Sequence, residues 1–320
     1  MPFPSVVPFT ITFPAVATLH IAGPLMPRLL LNGVLRLTDP AHPNPIPPTF
    51  NLIGPGRLGQ TLARLWHDAG LITLVGVLGR TAERTEAALR FMGGGQARDW
   101  NTLAPAQLTL LAIPDDALPA VASALAASNT IAPGAVVFHC SGALSSTVLE
   151  PLHARGALLA SVHPLKSFAD PHRAIDDFAG TWCACEGEAA ALAVIAPLFD
   201  AIGGRRFMLN AEHKLLYHAG AVLACNHLVA LMEGALRCME QAGVPRATAW
   251  PALRPLIDGT LANLDAGSTS SALTGPVARG DLATIRQEIK ATAQVDGLVG
   301  ETYRILSQLA AELTTHKIKI

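Results

Sequence analysis

Between residues 49 and 165 short, continuously apolar runs alternate with longer stretches in which apolar residues return every three or four positions. The first run, TFNLI (49–53), ends at a glycine. It is followed by RLGQTLARLWHDAG (57–70), where Leu58, Leu62, Leu65 and Trp66 share a helical face and Gly70 supplies the stop. LITLVGVLGR (71–80) is the next strand and ERTEAALRFMG (83–93) the next helix. LTLLAIP (108–114) reads as a buried strand closed by Pro114, with Asp115 placed to cap the helix in DALPAVASALAAS. GAVVFHCSG (134–142) and GALLASVHPL (156–165) are further strands. This alternation predicts an α/β fold on a doubly wound, mostly parallel sheet. Ligands of such sheets lie beyond the carboxyl ends of the strands, so the turns after Ile53, Gly79, Ile113, His139 and Val162 are expected to face one cleft.

After about residue 210 the strand signals stop. AEHKLLYHAGAVLACNHLVALMEGALRCMEQAG reads as one long helix ended by Gly243 and Pro245. More helices are expected over 246–265, 281–290 and 292–315, interrupted by one loop, SALTGPVARGD (271–281). The predicted organisation is a proline-rich extension (1–48), a dinucleotide-binding domain (49–210) and an all-helical C-terminal domain (211–320). The extension holds 11 of the 24 prolines and has no Lys or Arg before Arg28; Pro8, Pro14 and Pro24 break any secretory-signal pattern. It is expected to be poorly ordered and dispensable for the fold, or to precede a true start at Met26. LLYHAGAVLACNHLVALM (215–232) has no Asp, Glu, Lys or Arg and is long enough to raise the question of a membrane span. Its two histidines and Asn226 point instead to a buried helix of a soluble protein. It is apolar around most of its circumference, more than one small domain can cover, which predicts a homodimer through the helical domain.

The motif Gly54-Pro55-Gly56-Arg57-Leu58-Gly59 sits between a strand and a helix inside a β-α-β unit of about 30 residues, the context that gives G-x-G-x-x-G its meaning. Gly54 permits the tight turn, Gly56 lets the backbone approach a pyrophosphate, and Gly59 allows close helix–strand packing. Free N–H groups at the helix start, on Arg57, Leu58 and Gly59, hold the anion. Ile113, Pro114 and Ser141, at the same sheet edge, complete the expected cofactor contacts. An NAD site carries an acidic residue about 20 residues past the glycines. Here the second strand ends in Gly79-Arg80-Thr81. Arg80 can pair with a 2′-phosphate and Thr81 can add a hydroxyl, so NADP is expected rather than NAD; the alternative is that Arg80 is a solvated residue at a helix start.

The stretch from about 49 to 315 resembles Rossmann-like proteins with a C-terminal DUF2520 domain, through IGPGRLG, AIPDD, HCSGALS, SVHPLKSF, YHAGAVLACNHLVAL and ALTGPVARGD. The resemblance extends to the group similar to 6-phosphogluconate dehydrogenase, with its pyrroline-5-carboxylate, ketopantoate and prephenate oxidoreductases. It implies a nicotinamide oxidoreductase that dimerises through its helices, acting on a small-molecule substrate. HCSG and SVHPL look like the Ser and His-Pro arrangement of prephenate dehydrogenases, which implies that Ser141 and His163 act on the substrate, His163 moving the proton. The alternative is that His163 bonds backbone and Ser141 caps a helix. Related reductases carry Lys and Asn on the long helix, which makes Lys214, His218 and Asn226 candidates, spaced with Val222 by fours. Here His218 stands four after Lys214 where an Asn is expected, and Asn226 comes eight later. In the loop, Thr274 or Arg279 could clamp a carboxylate, or Asp281 could cap the next helix.

Composition narrows the partners. Half of the 320 residues are hydrophobic, 15% are charged, the formal net charge is −1 and mean hydropathy is +0.37. A pI near 6.8 gives no electrostatic footprint for nucleic acid. The five cysteines lack zinc spacing, and Cys183 and Cys185 are expected on one face of a strand; reduced thiols suit a cytoplasmic protein. The 11 histidines form no metal motif. Two readings of function result: an NADP-dependent reductase of a small 2-keto acid or cyclic imine, and a non-catalytic NADP-binding dimer that reports redox state. A Ser–His hydrolase is a distant third, because HCSGA is not G-x-S-x-G and no acidic partner is evident.

Overall fold

The structure, a computed structural model, describes residues 46–314 and, before them, the backbone of two short antiparallel strands, β1 (Thr10–Thr12) and β2 (Thr18–His20). Of the extension only the backbones of β1 and β2 and residues 46–48 are described; the expectations of poor order, dispensability and a start at Met26 otherwise fall outside the described residues. Residues 1–47 and 48–320 are two separate units, and the second holds everything that follows.

Seven strands, β3 (Thr49–Ile53), β4 (Thr73–Leu78), β5 (Leu108–Leu111), β6 (Val136–His139), β7 (Leu158–Pro164), β8 (Trp182–Gly187) and β9 (Arg205–Met208), form one sheet in the order β4-β3-β5-β6-β7-β8-β9. Every neighbouring pair is parallel except β7 and β8. The helices of this part are α1 (Arg57–Asp68), α2 (Ala82–Met92), α3 (Leu118–Ala127), α4 (Pro171–Asp176) and α5 (Ala189–Ala201); a 3₁₀ stretch over Ser146–Arg155 joins β6 to β7. From β3 the chain runs through α1 to β4 on one side, then returns past β3 to β5 on the other. The turn after β3 therefore lies at the topological switch point, where open sheets of this kind bind ligands.

The core forms because strand side chains alternate between two covered faces. Phe50, Leu52, Leu110, Phe138 and Val162 pack on one face with Leu62 and Trp66 of α1 and Ile195 and Phe199 of α5. The Trp66 ring lies 5.1 Å from Phe199 and 5.7 Å from Phe50, both edge-on, and its Nε1 donates to Leu198 O at 3.0 Å. Ile53, Leu111, Val137 and Leu159 pack on the other face under Leu118, Ala122 and Leu125 of α3. Cys183 and Cys185 both face the first core, as their alternation predicted, and all five cysteines are free thiols.

Beyond Met208 the described chain is helical: α6 (Lys214–Ala224), α7 (Asn226–Gln241), α8 (Arg246–Ala266), α9 (Thr269–Ala272), α10 (Gly275–Arg279), α11 (Leu282–Val295) and α12 (Gly297–Glu312). Two expectations change. The long helix bends at Cys225 (φ −117, ψ −65), with neither Pro nor Gly to mark it in sequence. The loop at 271–281 holds most of two short helices; Ser268 and Ser271 cap the first reciprocally, and four or five residues are too few to show a period. Asp281 caps α11 by accepting from Thr284 N–H at 3.1 Å, one of the two readings given for it.

The helical part has a small core of its own, around Val277, Ile285 and Ala311. The stretch Ala211–Gln241 is long and apolar enough to cross a membrane by length and composition. Instead of the buried helix expected, it leaves Leu216 76% and Val229 70% exposed in the single chain.

Candidate active site

The glycine turn has the geometry its sequence requires. Gly54 has φ +90, in the left-handed region, and a Cβ there would come within 2.5 Å of Ala112 O. A Cβ on Gly59 would stand 2.7 Å from Gly54 O and 2.8 Å from Ala112 Cβ, so α1 packs on the turn only without one. Gly56, by contrast, faces open space, with Ala112 O the nearest atom at 3.9 Å. It is the N-cap of α1, contributes no side-chain cap, and no acidic residue stands in the first turn. The N–H groups of Arg57, Leu58 and Gly59 thus begin a twelve-residue helix without an internal acceptor. An uncapped helix start, a bare backbone and no competing carboxylate fit a bound pyrophosphate.

Arg80 and Thr81 follow β4 at the same edge, both exposed. Thr81 caps α2, accepting from Arg84 N–H at 3.4 Å, and its hydroxyl proton stays available. Arg80 makes no ion pair among the described residues, and no carboxylate ends β4. Ile113 and Pro114 follow β5, where the Ile113 side chain abuts Gly54.

Ser141 and Asp115 meet at this edge. Ser141 Oγ donates to Asp115 Oδ2 at 2.8 Å and accepts from the Ala143 and Leu144 N–H groups at 3.1 and 2.9 Å. Its hydroxyl thus donates once and accepts twice within the turn. Asp115 does not cap the following helix; its side chain holds Ser141 instead. An acidic partner for Ser141 does exist, but no histidine bonds its Oγ, so a hydrolase triad is not formed. His139 Nδ1 accepts from Ser141 N–H at 3.1 Å and Nε2 donates to Ser145 O at 3.2 Å. Burial, with the Lys214 ammonium adding to it, pushes the His139 imidazole down to about 4.

His163 lies two residues beyond Ser161 on β7, and Ser161 pairs in register with His139. His163 Nδ1 is 2.8 Å from Tyr217 Oη. Its ring stands edge-on to those of Tyr217 and His218, each centroid 5.7 Å away. The two histidine rings meet over Gly142: a Cβ there would strike His218 Nδ1 and reach within 2.9 Å of His163 Nε2. His218 Nδ1 is buried without a hydrogen bond. Burial, then His218 and Lys214, push His163 down to about 4. At pH 7 it is therefore a neutral imidazole.

Lys214 is neither at the surface nor free. It is 1% exposed, and its Nζ donates to Glu186 Oε1 at 2.8 Å and to Ser161 Oγ. Glu186, 2% exposed on β8, also accepts from the Ser146 N–H and Oγ, each at 2.8 Å. Desolvation lowers the Lys214 ammonium, and Glu186 opposes the shift. Lys214 and His218 share the helix face turned to the sheet, as their spacing predicted, and Val222 is half-buried. Asn226 falls beyond the bend at Cys225 and is exposed; the buried polar role expected for it is not found in the single chain. Asp115, His139, Ser161, Glu186 and Tyr217 were not singled out from the sequence as members of this site.

Comparison with known proteins fits this layout. Residues 46–164 match the model of a Rossmann-like domain, and residues 181–310 that of a domain of unknown function, DUF2520. The chain joins a Rossmann-like domain to a DUF2520 domain. The Rossmann-like match ends at Pro164, directly after His163, and the DUF2520 match supplies Glu186, Lys214, Tyr217 and His218. The site is thus built where the two meet. No curated protein matches the chain. Among solved structures it is similar to a Bacteroides fragilis protein provisionally described as an NADP oxidoreductase (21% identity, 83% of this chain and 98% of that one, TM-score 0.69). It is also similar to a Thermotoga maritima protein (26%, 82% and 97%, 0.65) and to a reductive aminase from Aspergillus terreus solved with NADPH and ethyl-5-oxohexanoate (16%, 83% and 94%, 0.63).

Proposed function

We infer that the protein is an NADP-dependent reductase of a small 2-keto acid or cyclic imine. The observation that carries the reading is one sheet edge that joins an uncapped, glycine-lined helix start to a partly buried His163 beside Gly142. Gly54, Gly56 and Gly59, with the N–H groups of Arg57 and Leu58, hold the pyrophosphate; Arg80 and Thr81 take the 2′-phosphate; Ile113 and Pro114 flank the nicotinamide half. NADPH bound there supplies a hydride. His163 faces the substrate heteroatom, Ser141 with Asp115 holds the turn beneath it, and the Lys214–Glu186 pair fixes α6 so that Tyr217 and His218 close the other side. The descriptions of the Bacteroides and Aspergillus neighbours support the cofactor and reaction class.

One observation favours a second reading, a non-catalytic NADP-binding dimer that reports redox state: Lys214 is locked in a buried pair and Asn226 points away, so no Lys/Asn set faces the cleft. In either case we place a domain division near residue 210 and a homodimer through the exposed apolar faces of α6 and α7. Five free thiols suit a reducing compartment such as the cytoplasm. A panel of 2-keto acids and cyclic imines, followed by loss of NADPH absorbance, tests the reductase reading. Turnover of one class, abolished by Gly56→Asp, is expected; tight NADPH binding with no turnover across the panel moves the assignment to the redox reporter.

A further inference from the structure

A neutral imidazole gives up its one N–H readily only if its other nitrogen takes a proton in exchange, and His163 is neutral at pH 7. What stands behind it is Tyr217. The phenol oxygen lies 2.8 Å from Nδ1 and has no other hydrogen-bond partner among the described residues. Nε2 has none either, and it lies over Gly142. Burial, with Cys183 and Cys185 of β8, raises the phenol to about 12, so Tyr217 keeps its proton at neutral pH, and the 2.8 Å contact suits an Oη–H that donates to Nδ1. With that direction the single ring proton of His163 stands on Nε2, beside Gly142.

We propose that Tyr217 is a positioning residue that holds His163 as an Nε2–H donor and backs it as a proton source. The proposal rests on the reductase reading. With hydride supplied to a carbonyl carbon, the C=O π pair would move to oxygen. That oxygen takes the Nε2 proton as Nδ1 takes the proton of Tyr217: O–H and Nδ1–H form, Nε2–H and Oη–H break. His163 ends neutral in its other tautomer, Tyr217 ends as phenolate, and solvent returns the proton. An alkoxide is roughly as basic as hydroxide, whose parent water has a pKa of about 15.7, so transfer from a phenol near 12 is downhill. A neutral imine nitrogen needs the same proton, whereas an iminium already carries it, so dependence on Tyr217 separates carbonyl and neutral imine substrates from preformed iminium ions.

The test uses the full chain with ¹⁵N-labelled histidine, with and without NADPH, in two-bond ¹⁵N–¹H correlation spectra from about pH 6 to 9. Groups facing the His163–Tyr217 pair are Lys214 and His218 from α6 and Cys183 and Cys185 from β8. His163 is expected as the Nε2–H tautomer throughout, and Tyr217→Phe, which keeps the ring packed against Phe207, is expected to release a mixture. A proton on Nδ1, titration inside this range, or an unchanged tautomer in Tyr217→Phe overturns the proposal. These spectra decide it even if NADPH reduces none of pyruvate, glyoxylate and 1-pyrroline, an outcome that sinks the reductase reading alone. With a reduced 2-keto acid, Tyr217→Phe should lower kcat roughly 10²-fold and leave KM within about threefold. Parental kcat in that variant also overturns the proposal.

Discussion

Replacing Lys214 by Met removes the ammonium from the Glu186 pair while keeping a side chain of similar length in the same space. Both partners are almost wholly buried, and the ammonium also donates to Ser161. Breaking a buried ion pair from one side costs about 3–5 kcal/mol, because the remaining charge is stranded. Glu186 keeps both hydrogen bonds from Ser146, so the lower end, about 3 kcal/mol, is expected. For a body of this size that corresponds to a fall in Tm of roughly 6–12 °C. Urea unfolding of the parent, Lys214→Met, Glu186→Gln and the double variant measures it. The double variant should lose less than the sum of the singles by at least about 1 kcal/mol. Costs that add within about 0.5 kcal/mol would refute the pairing.

Acid should destabilise the fold through His139. Its folded value of about 4 lies below the usual 6.5, so between those pH values the unfolded chain binds a proton that the folded chain refuses. Stability is therefore complete above pH 6.5 and falls by about 3 kcal/mol as pH drops to 4, with His163 adding in the same direction. Chemical denaturation that is flat between these limits contradicts the burial of both imidazoles. The exposed apolar faces of α6 and α7 predict a particle of about twice 33.4 kDa by light scattering at micromolar concentration. A detergent-free monomer, or a protein recovered only from membranes, counts against the homodimer.

The sheet and the glycine turn were legible in the sequence because each depends on local rules. Strand alternation names two core faces, and Gly54 and Gly59 are glycines for contacts made within their own β-α-β unit. The candidate site at this edge was less legible. His163 was singled out through the likeness of SVHPL to a His-Pro arrangement, but its hydrogen-bond partner stands 54 residues on, on α6. One signal was available: Glu186 is the lone charge in the apolar run WCACEG, and a charge in a buried strand requires a partner of opposite sign. Lys214, beginning an otherwise uncharged apolar stretch, was the matching candidate. The bend at Cys225 carries no local mark, so the spacing by fours that linked Lys214 to Asn226 failed beyond it. Asp115 was read as a helix cap because that is the commoner use of an acid after a proline, and only the fold brings Ser141 to it.

The most direct measurement of the central claim is a calorimetric titration of the parent and of Arg80→Ala with NADPH and with NADH. The parent should bind one NADPH per chain, more tightly than NADH. Arg80→Ala should lose on the order of 1.5–3 kcal/mol of NADPH affinity, and with it the preference, because a charge-assisted pair to the 2′-phosphate is gone. Equal affinity of the parent for the two nucleotides, or binding of neither, would contradict the account.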